Sequence, residues 1–247
     1  DAREIIGLAL TRLLLEELGE LKHAVLIPVD SHISLFTEHR KQAQDQTLRL
    51  QRSDLLLIGT EDDALKVRLI EVKFRSGAGV GEEYNLKEQI VAKNENTQKV
   101  IEALFKPSDE NDRFDRDVQN HELANLLEFY LERCIRHGLI QENSEEEQVL
   151  REGIRKVTQN DFQMVFEKSG YIFNLLGISK TPESYKDNTI HVIGKDKISE
   201  LFEIEEEDIE SVVEPELVTP PVGEGEEAEL QAEGEKESKE KIPGVYT

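Results

Sequence analysis

Apolar side chains recur at positions 5, 6, 8, 10, 13, 14, 15 and 18, a helical spacing that ends at Gly19. The pattern then shortens. AVLIPVD (24–30) is an apolar, β-branched run that reads as a strand, with Pro28 marking an edge or bend. TEHRKQAQDQTLRLQR (37–52) is polar and locally basic, and SDLLLIG (53–59) is a continuous apolar run closed by a turn. After the acidic turn TEDD, KVRLIEVKFR (66–75) predicts a further strand. SGAGVGEEYN reads as a flexible loop. Residues 85–105 then form a long helix with Leu86, Ile90, Thr97, Ile101 and Leu104 on one face. Beyond a polar loop, helices are expected at about 121–137 and 145–157. DFQMVFE and YIFNLLG read as two strands of a hairpin turning at Lys168-Ser169-Gly170, and TIHVIG (189–194) as a last short strand. No internal repeat is visible. The order predicts an α/β fold, a central mixed sheet flanked by helices.

Beyond Glu203 the composition changes. From residue 199 to the end there are 17 acidic side chains against three lysines, a net of −14 out of −23 for the 247 residues. Few aromatics, one charge sign and scattered Pro and Gly predict a disordered acidic linker or tail over 199–247. Residues 1–198 form the folded part, with a core over about 1–105 and a helical and strand extension over about 106–198. The chain opens DAREIIGLAL without an initiator methionine and stops at GVYT, as expected of a segment of a longer protein.

Hydrophobic residues at 37%, with nine Phe and five Tyr, exclude a wholly disordered chain. No run approaches the roughly 18–20 apolar residues of a membrane span, and no secretory signal opens the chain. The single cysteine, Cys134, excludes disulfides within the chain and multi-cysteine zinc sites, so a cytoplasmic location is expected. Cys134 falls in an amphipathic helix and reads as a core residue. The six histidines lack zinc-type spacing, Gly77, Gly79 and Gly81 miss the dinucleotide-binding pattern, and no Walker lysine motif is present.

The candidate chemistry lies in Asp54, Glu71 and Lys73. Along 66–75, Val67, Leu69, Glu71 and Lys73 share one face, and Arg68, Ile70, Val72 and Phe74 the other. Both faces carry apolar residues up to position 70, the pattern of a central strand covered on both sides. Charges on such a strand cost desolvation unless they pair, bind a metal or reach the open end. Asp54 opens the neighbouring run, so adjacent strands bring its carboxylate beside Glu71. Two carboxylates and a lysine make a hard-cation site suited to Mg²⁺, with Mn²⁺ able to substitute, and to phosphodiester hydrolysis. The alternative is an ordinary salt bridge at the strand end.

SDLLLIG, a turn and LIEVKFR together resemble the Asp…Glu-x-Lys signature of the PD-(D/E)xK nucleases, the restriction-endonuclease-like superfamily. Ser53 stands where that family usually has proline. The resemblance covers about residues 1–105, including one helix before and one after the strands. It implies a metal-dependent DNA endonuclease with Asp54, Glu71 and Lys73 as catalytic residues and Asp54 and Glu71 as metal ligands. It further implies an acidic ligand from the first helix, for which Glu4 is the choice; the same Glu4 also reads as a first-turn acid complementing the helix dipole. Tyr84 and Gln89 answer to positions on the following helix in related branches, with Gln89 a phosphate or water contact or a plain surface residue.

Asp30 and His32 follow a strand end and read as an added base or ligand, or, for His32, as a loop histidine. Arg52, with Arg40, Lys41 and Arg49, is placed to meet a DNA backbone or solvent, and Arg75 shares the face of Lys73 and offers a phosphate contact. A DNA substrate is the expected partner, with further domains or subunits such as a motor ATPase of an FtsK/HerA type in a bacterial defence or restriction system. No membrane partner is expected, and an oligomer is compatible. An inactive nuclease-like DNA-binding or scaffolding module is the alternative. Because most of the net negative charge lies in the tail, net charge does not exclude DNA; it predicts weak, metal-dependent and salt-sensitive binding.

Overall fold

A computed structural model describes residues 2–32, 52–61, 64–75, 80–105 and 115–202. Helix α1 (Ala2–Glu17) leads to strand β1 (Ala24–Pro28) and a short 3-10 turn over Val29–His32. Strands β2 (Leu55–Glu61) and β3 (Ala64–Arg75) follow, then helices α2 (Val80–Phe105), α3 (Arg116–Arg136) and α4 (Glu145–Thr158). Strands β4 (Met164–Asn174), β5 (Glu183–Tyr185) and β6 (Asn188–Gly194) and helix α5 (Lys195–Leu201) close the described chain. No described helix is long and apolar enough to cross a membrane.

The six strands form one mixed sheet in the order β1-β2-β3-β4-β6-β5. β1, β2 and β3 run antiparallel in succession, β3, β4 and β6 run parallel, and β5 returns antiparallel on β6. Pro28 sits on the outer strand β1, where its missing N–H costs no ladder bond. The parallel step from β3 to β4 needs a long crossover, and α2, α3 and α4 supply it.

Helices cover both faces. Leu10, Leu14 and Leu15 of α1 and Ile198 of α5 pack with Leu55, Leu57, Ile70 and Val72 on one face. On the other, Ile101, Leu104 and Phe105 of α2 join Leu127 and Leu131 of α3 over Leu56, Ile58, Val67 and Leu69. Cys134 is buried in this second cluster, as its helical position predicts. Double coverage is why β2 is apolar on consecutive residues and why β3 buries Leu69 on one face and Ile70 and Val72 on the other, while Lys66 and Arg68 leave one face of its first half to ion pairs with Glu167 and Glu20.

The hairpin expected at Lys168-Ser169-Gly170 is not formed. These residues lie inside β4, paired with Leu69, Ile70 and Glu71 of β3, and Ser169 and Gly170 also pair with Thr189 and Ile190 of β6. The glycine marks a close approach rather than a turn: a Cβ on Gly170 would lie 2.6 Å from Cγ2 of Ile90 in α2. The hairpin that does form joins β5 to β6, where Lys186 (φ 45°) and Asp187 (φ 58°) both take the left-handed conformation of a tight two-residue turn. Helix α5 carries regular structure to Leu201, past the boundary expected at 198; Ser199 is buried and its Oγ donates to the Lys195 carbonyl at 2.8 Å. The acidic segment from residue 203 lies outside the described residues.

Candidate metal centre

Asp54 immediately precedes β2 and is held from both sides. Its amide donates to the Ile70 carbonyl (3.0 Å), its carbonyl accepts from the Val29 amide (3.0 Å), and its Oδ2 accepts from the Val72 amide (2.7 Å). Since Leu55 pairs with Ile70, the register carries Asp54 opposite Glu71. Both side chains emerge on the α2 face of the sheet.

Glu71 is fully buried (0% exposed). Its Oε1 accepts from Lys73 Nζ at 2.6 Å and from Lys93 Nζ at 2.7 Å. Lys93 Nζ also lies 3.8 Å from Asp54 Oδ1. Oε2 of Glu71 is buried and has no hydrogen-bond partner among the described residues. Two carboxylates and two ammonium groups thus meet at one spot, formally neutral. Burial first, and the neighbouring Asp54 charge second, push the Glu71 carboxyl up to about 7 against the opposing pull of Lys73 and Lys93. Burial opposes the charge on Lys93, but Glu71 and Asp54 outweigh it and raise its pKa.

A buried polar network fixes α2 over the site. The Ser53 amide donates to Thr97 Oγ1 (2.8 Å) and Ser53 Oγ to Asn94 Oδ1 (2.7 Å). Asn94 Nδ2 reaches the Ser169 carbonyl (3.0 Å) and Asn188 Oδ1 (2.8 Å), and Thr97 Oγ1 donates to the Lys93 carbonyl (2.9 Å). Ser53 therefore supplies both an N–H and a hydroxyl to this network. One helix is tied to the residue before Asp54 and to β4 and β6, and Lys93 directly precedes the first tied position, Asn94.

Asp54, Glu71 and Lys73 are brought together as expected; the accessory residues are not gathered with them. Glu4 is exposed in the first turn of α1. That helix packs over the opposite face of β3, where a Cβ on Gly7 would meet Val72 and Phe74. Among the described residues no three His, Cys, Asp or Glu side chains are grouped to hold a metal ion, so Glu4 does not complete a ligand set with Asp54 and Glu71. His32 is held by α3 instead: its Nε2 lies 2.8 Å from the Tyr130 hydroxyl, the rings meet edge to face, and burial lowers its pKa. Arg52 lies 3.5 Å from the exposed Asp30, with its Nη1 buried and unpartnered among the described residues. Arg75 is exposed at the end of β3, and its carbonyl accepts from Leu175. Gln89 is exposed one helical turn before Lys93, while Tyr84 packs edge-on against Tyr185. Arg40, Lys41 and Arg49 lie outside the described residues.

Lys93 is the site residue that the sequence reading passed over, although a signal was present. It falls between Ile90 and Thr97 on the same helical stripe as Leu86, Ile101 and Leu104. A lysine within a core-facing row demands a buried partner, and Glu71 is that partner.

Comparison of the chain with protein-family models, with curated proteins and with solved structures gives no match. The class that the coordinates define is a mixed α/β fold carrying a buried carboxylate-lysine cluster.

Proposed function

We propose that this chain is a metal-dependent DNA endonuclease domain of the PD-(D/E)xK, restriction-endonuclease-like kind. The observation that carries the reading is the meeting of Asp54, Glu71 and Lys73 beside a buried, unsatisfied Glu71 Oε2. The order of a helix, three antiparallel strands, a crossover of three helices and a parallel strand supports it.

The donor set fits a hard divalent cation: carboxylate oxygens, one of them buried without a partner. Asp54 and Glu71 are the residues that would hold Mg²⁺ or Mn²⁺. When bound, such an ion polarises a phosphate oxygen and lowers the pKa of coordinated water. The chain's own contribution is positional. The Val72 amide holds Asp54 Oδ2, and Lys73 supplies a fixed ammonium next to Glu71 that orients a water or balances charge developing on a phosphate. The expected setting is a larger cytoplasmic DNA-processing or defence protein, with a motor ATPase domain or subunit as partner.

A second reading is an inactive nuclease-like module, favoured by the formally neutral cluster in which Lys73 and Lys93 already serve Glu71. Incubating the protein with linear, nicked, branched and modified DNA separates the two. The nuclease reading expects cutting with Mg²⁺ or Mn²⁺ that chelator stops, and a loss of about a hundredfold or more in Asp54→Asn, Glu71→Gln and Lys73→Ala. A Lys73→Ala protein that cuts as well as the parent overturns the mechanism.

A further inference from the structure

The cluster around Glu71 contains one cation more than the Asp…Glu-x-Lys pattern supplies. Lys73 reaches Glu71, whereas Lys93 reaches both carboxylates, at 2.7 Å from Glu71 Oε1 and 3.8 Å from Asp54 Oδ1. An ammonium that bridges two acids occupies the electrostatic position of a cation shared between them.

We propose that Lys93 is the resident counter-cation of Asp54 and Glu71 in the metal-free protein, and that a divalent ion must displace it to bind. This rests on the metal-site reading above and adds a competitor to it. Three observations support the exchange. Both ammonium groups use Glu71 Oε1, leaving Oε2 buried and unpaired, a defect that a metal bond would relieve. The Lys93 backbone is pinned through Thr97 and its neighbour Asn94, so the exchange asks only the side chain to move. That side chain retains 25% exposure, against 0% for Glu71, so its ammonium has a route to water, where it is strongly hydrated. Charge points the same way: adding a divalent ion with Lys93 in place takes the cluster from neutral to two positive charges, and releasing Lys93 halves that excess.

The test is Mn²⁺ binding to the full chain, followed by calorimetry and by the metal-induced rise in melting temperature. Lys93→Met should melt lower without metal, bind Mn²⁺ about tenfold or more tightly, and gain more on saturation than the parent. Lys93→Arg keeps the charge and offers a forked guanidinium to the two carboxylates, so it should bind Mn²⁺ more weakly than the parent. These opposite shifts distinguish displacement from a merely structural lysine. Unchanged or weaker Mn²⁺ affinity in Lys93→Met overturns the proposal. If that variant does not fold, unchanged or tighter binding in Lys93→Arg does the same. Glu71→Gln separates the two levels of inference. If the parent binds Mn²⁺, Glu71→Gln does not and the Lys93 variants match the parent, displacement fails and the metal site stands. If the parent binds no Mn²⁺, both fail.

Discussion

The Val72 amide donates to Asp54 Oδ2 at 2.7 Å, so a side-chain carboxylate continues the ladder between β2 and β3. The two oxygens of Asp54 thereby take different tasks. Oδ2 is committed to the backbone, and Oδ1 lies toward Lys93. The residue is at once a structural closure of the strand pair and one half of the candidate metal centre.

Separating these tasks is possible by substitution. Asp54→Asn retains an oxygen acceptor for Val72 and should change stability by less than about 1 kcal/mol, while Asp54→Ala leaves that amide unpaired and should cost about 1–2 kcal/mol. Urea unfolding of both variants checks the difference. Both should lose metal-dependent cutting. Equal stability of the two would show that the Val72 bond contributes nothing to the fold.

Glu71 sets an expected pH dependence. Its carboxyl titrates at about 7 in the folded chain against an ordinary 4.5, raised by burial and by Asp54. Between those values the folded chain retains a proton that the unfolded chain has released. Stability therefore falls as pH rises from about 4.5 to about 7, by at most about 1.4 kcal/mol per unit, and the contribution levels off above. Lys93, with its pKa raised, remains charged throughout this window. Glu71→Gln should flatten the slope in a series of unfolding curves at stepped pH. The same protonation competes with metal, so Mn²⁺ affinity should weaken below about pH 7.

Ser53 offers a test of the network under α2. Ser53→Ala should cost about 1–2 kcal/mol, because the hydroxyl that serves Asn94 is lost within a buried network. Ser53→Pro, although proline is usual there in the family that the chain resembles, should cost more, since it also removes the N–H held by Thr97. A proline variant as stable as the parent, by thermal or urea unfolding, would remove the structural argument for serine at this position.

Much of the architecture is legible in the sequence. Periodicity places α1, the apolar strands and the helices of the crossover, and the apolar residues that 66–75 carries on both faces (Val67 and Leu69; Ile70, Val72 and Phe74) identify a strand covered on both sides. What periodicity misreads is Gly170. A Lys-Ser-Gly triplet between apolar runs has the local chemistry of a turn, and local chemistry carries no information about Ile90 of α2, the neighbour that excludes a side chain there. The expected role of Glu4 fails for a related reason. Helical spacing shows which residues face the core, but not which face of the sheet the helix covers.

Sequence alone determined the pairing of Asp54 with the Glu71-Val72-Lys73 stretch, because an apolar strand opening on an acid, followed after a tight turn by another apolar strand, has few registers that bury both. Tertiary structure alone decided the fourth charge. Lys93 is 22 residues beyond Glu71 on another element, and its place in the apolar stripe of α2 announces a buried partner without naming it. Only the packing of α2 on the sheet, fixed by Ser53, Asn94 and Thr97, brings that ammonium between the two carboxylates. The physical reason is one of range. Alternation and helical periodicity are local constraints, whereas the neutralisation of a buried charge is settled by whichever element the fold lays across it.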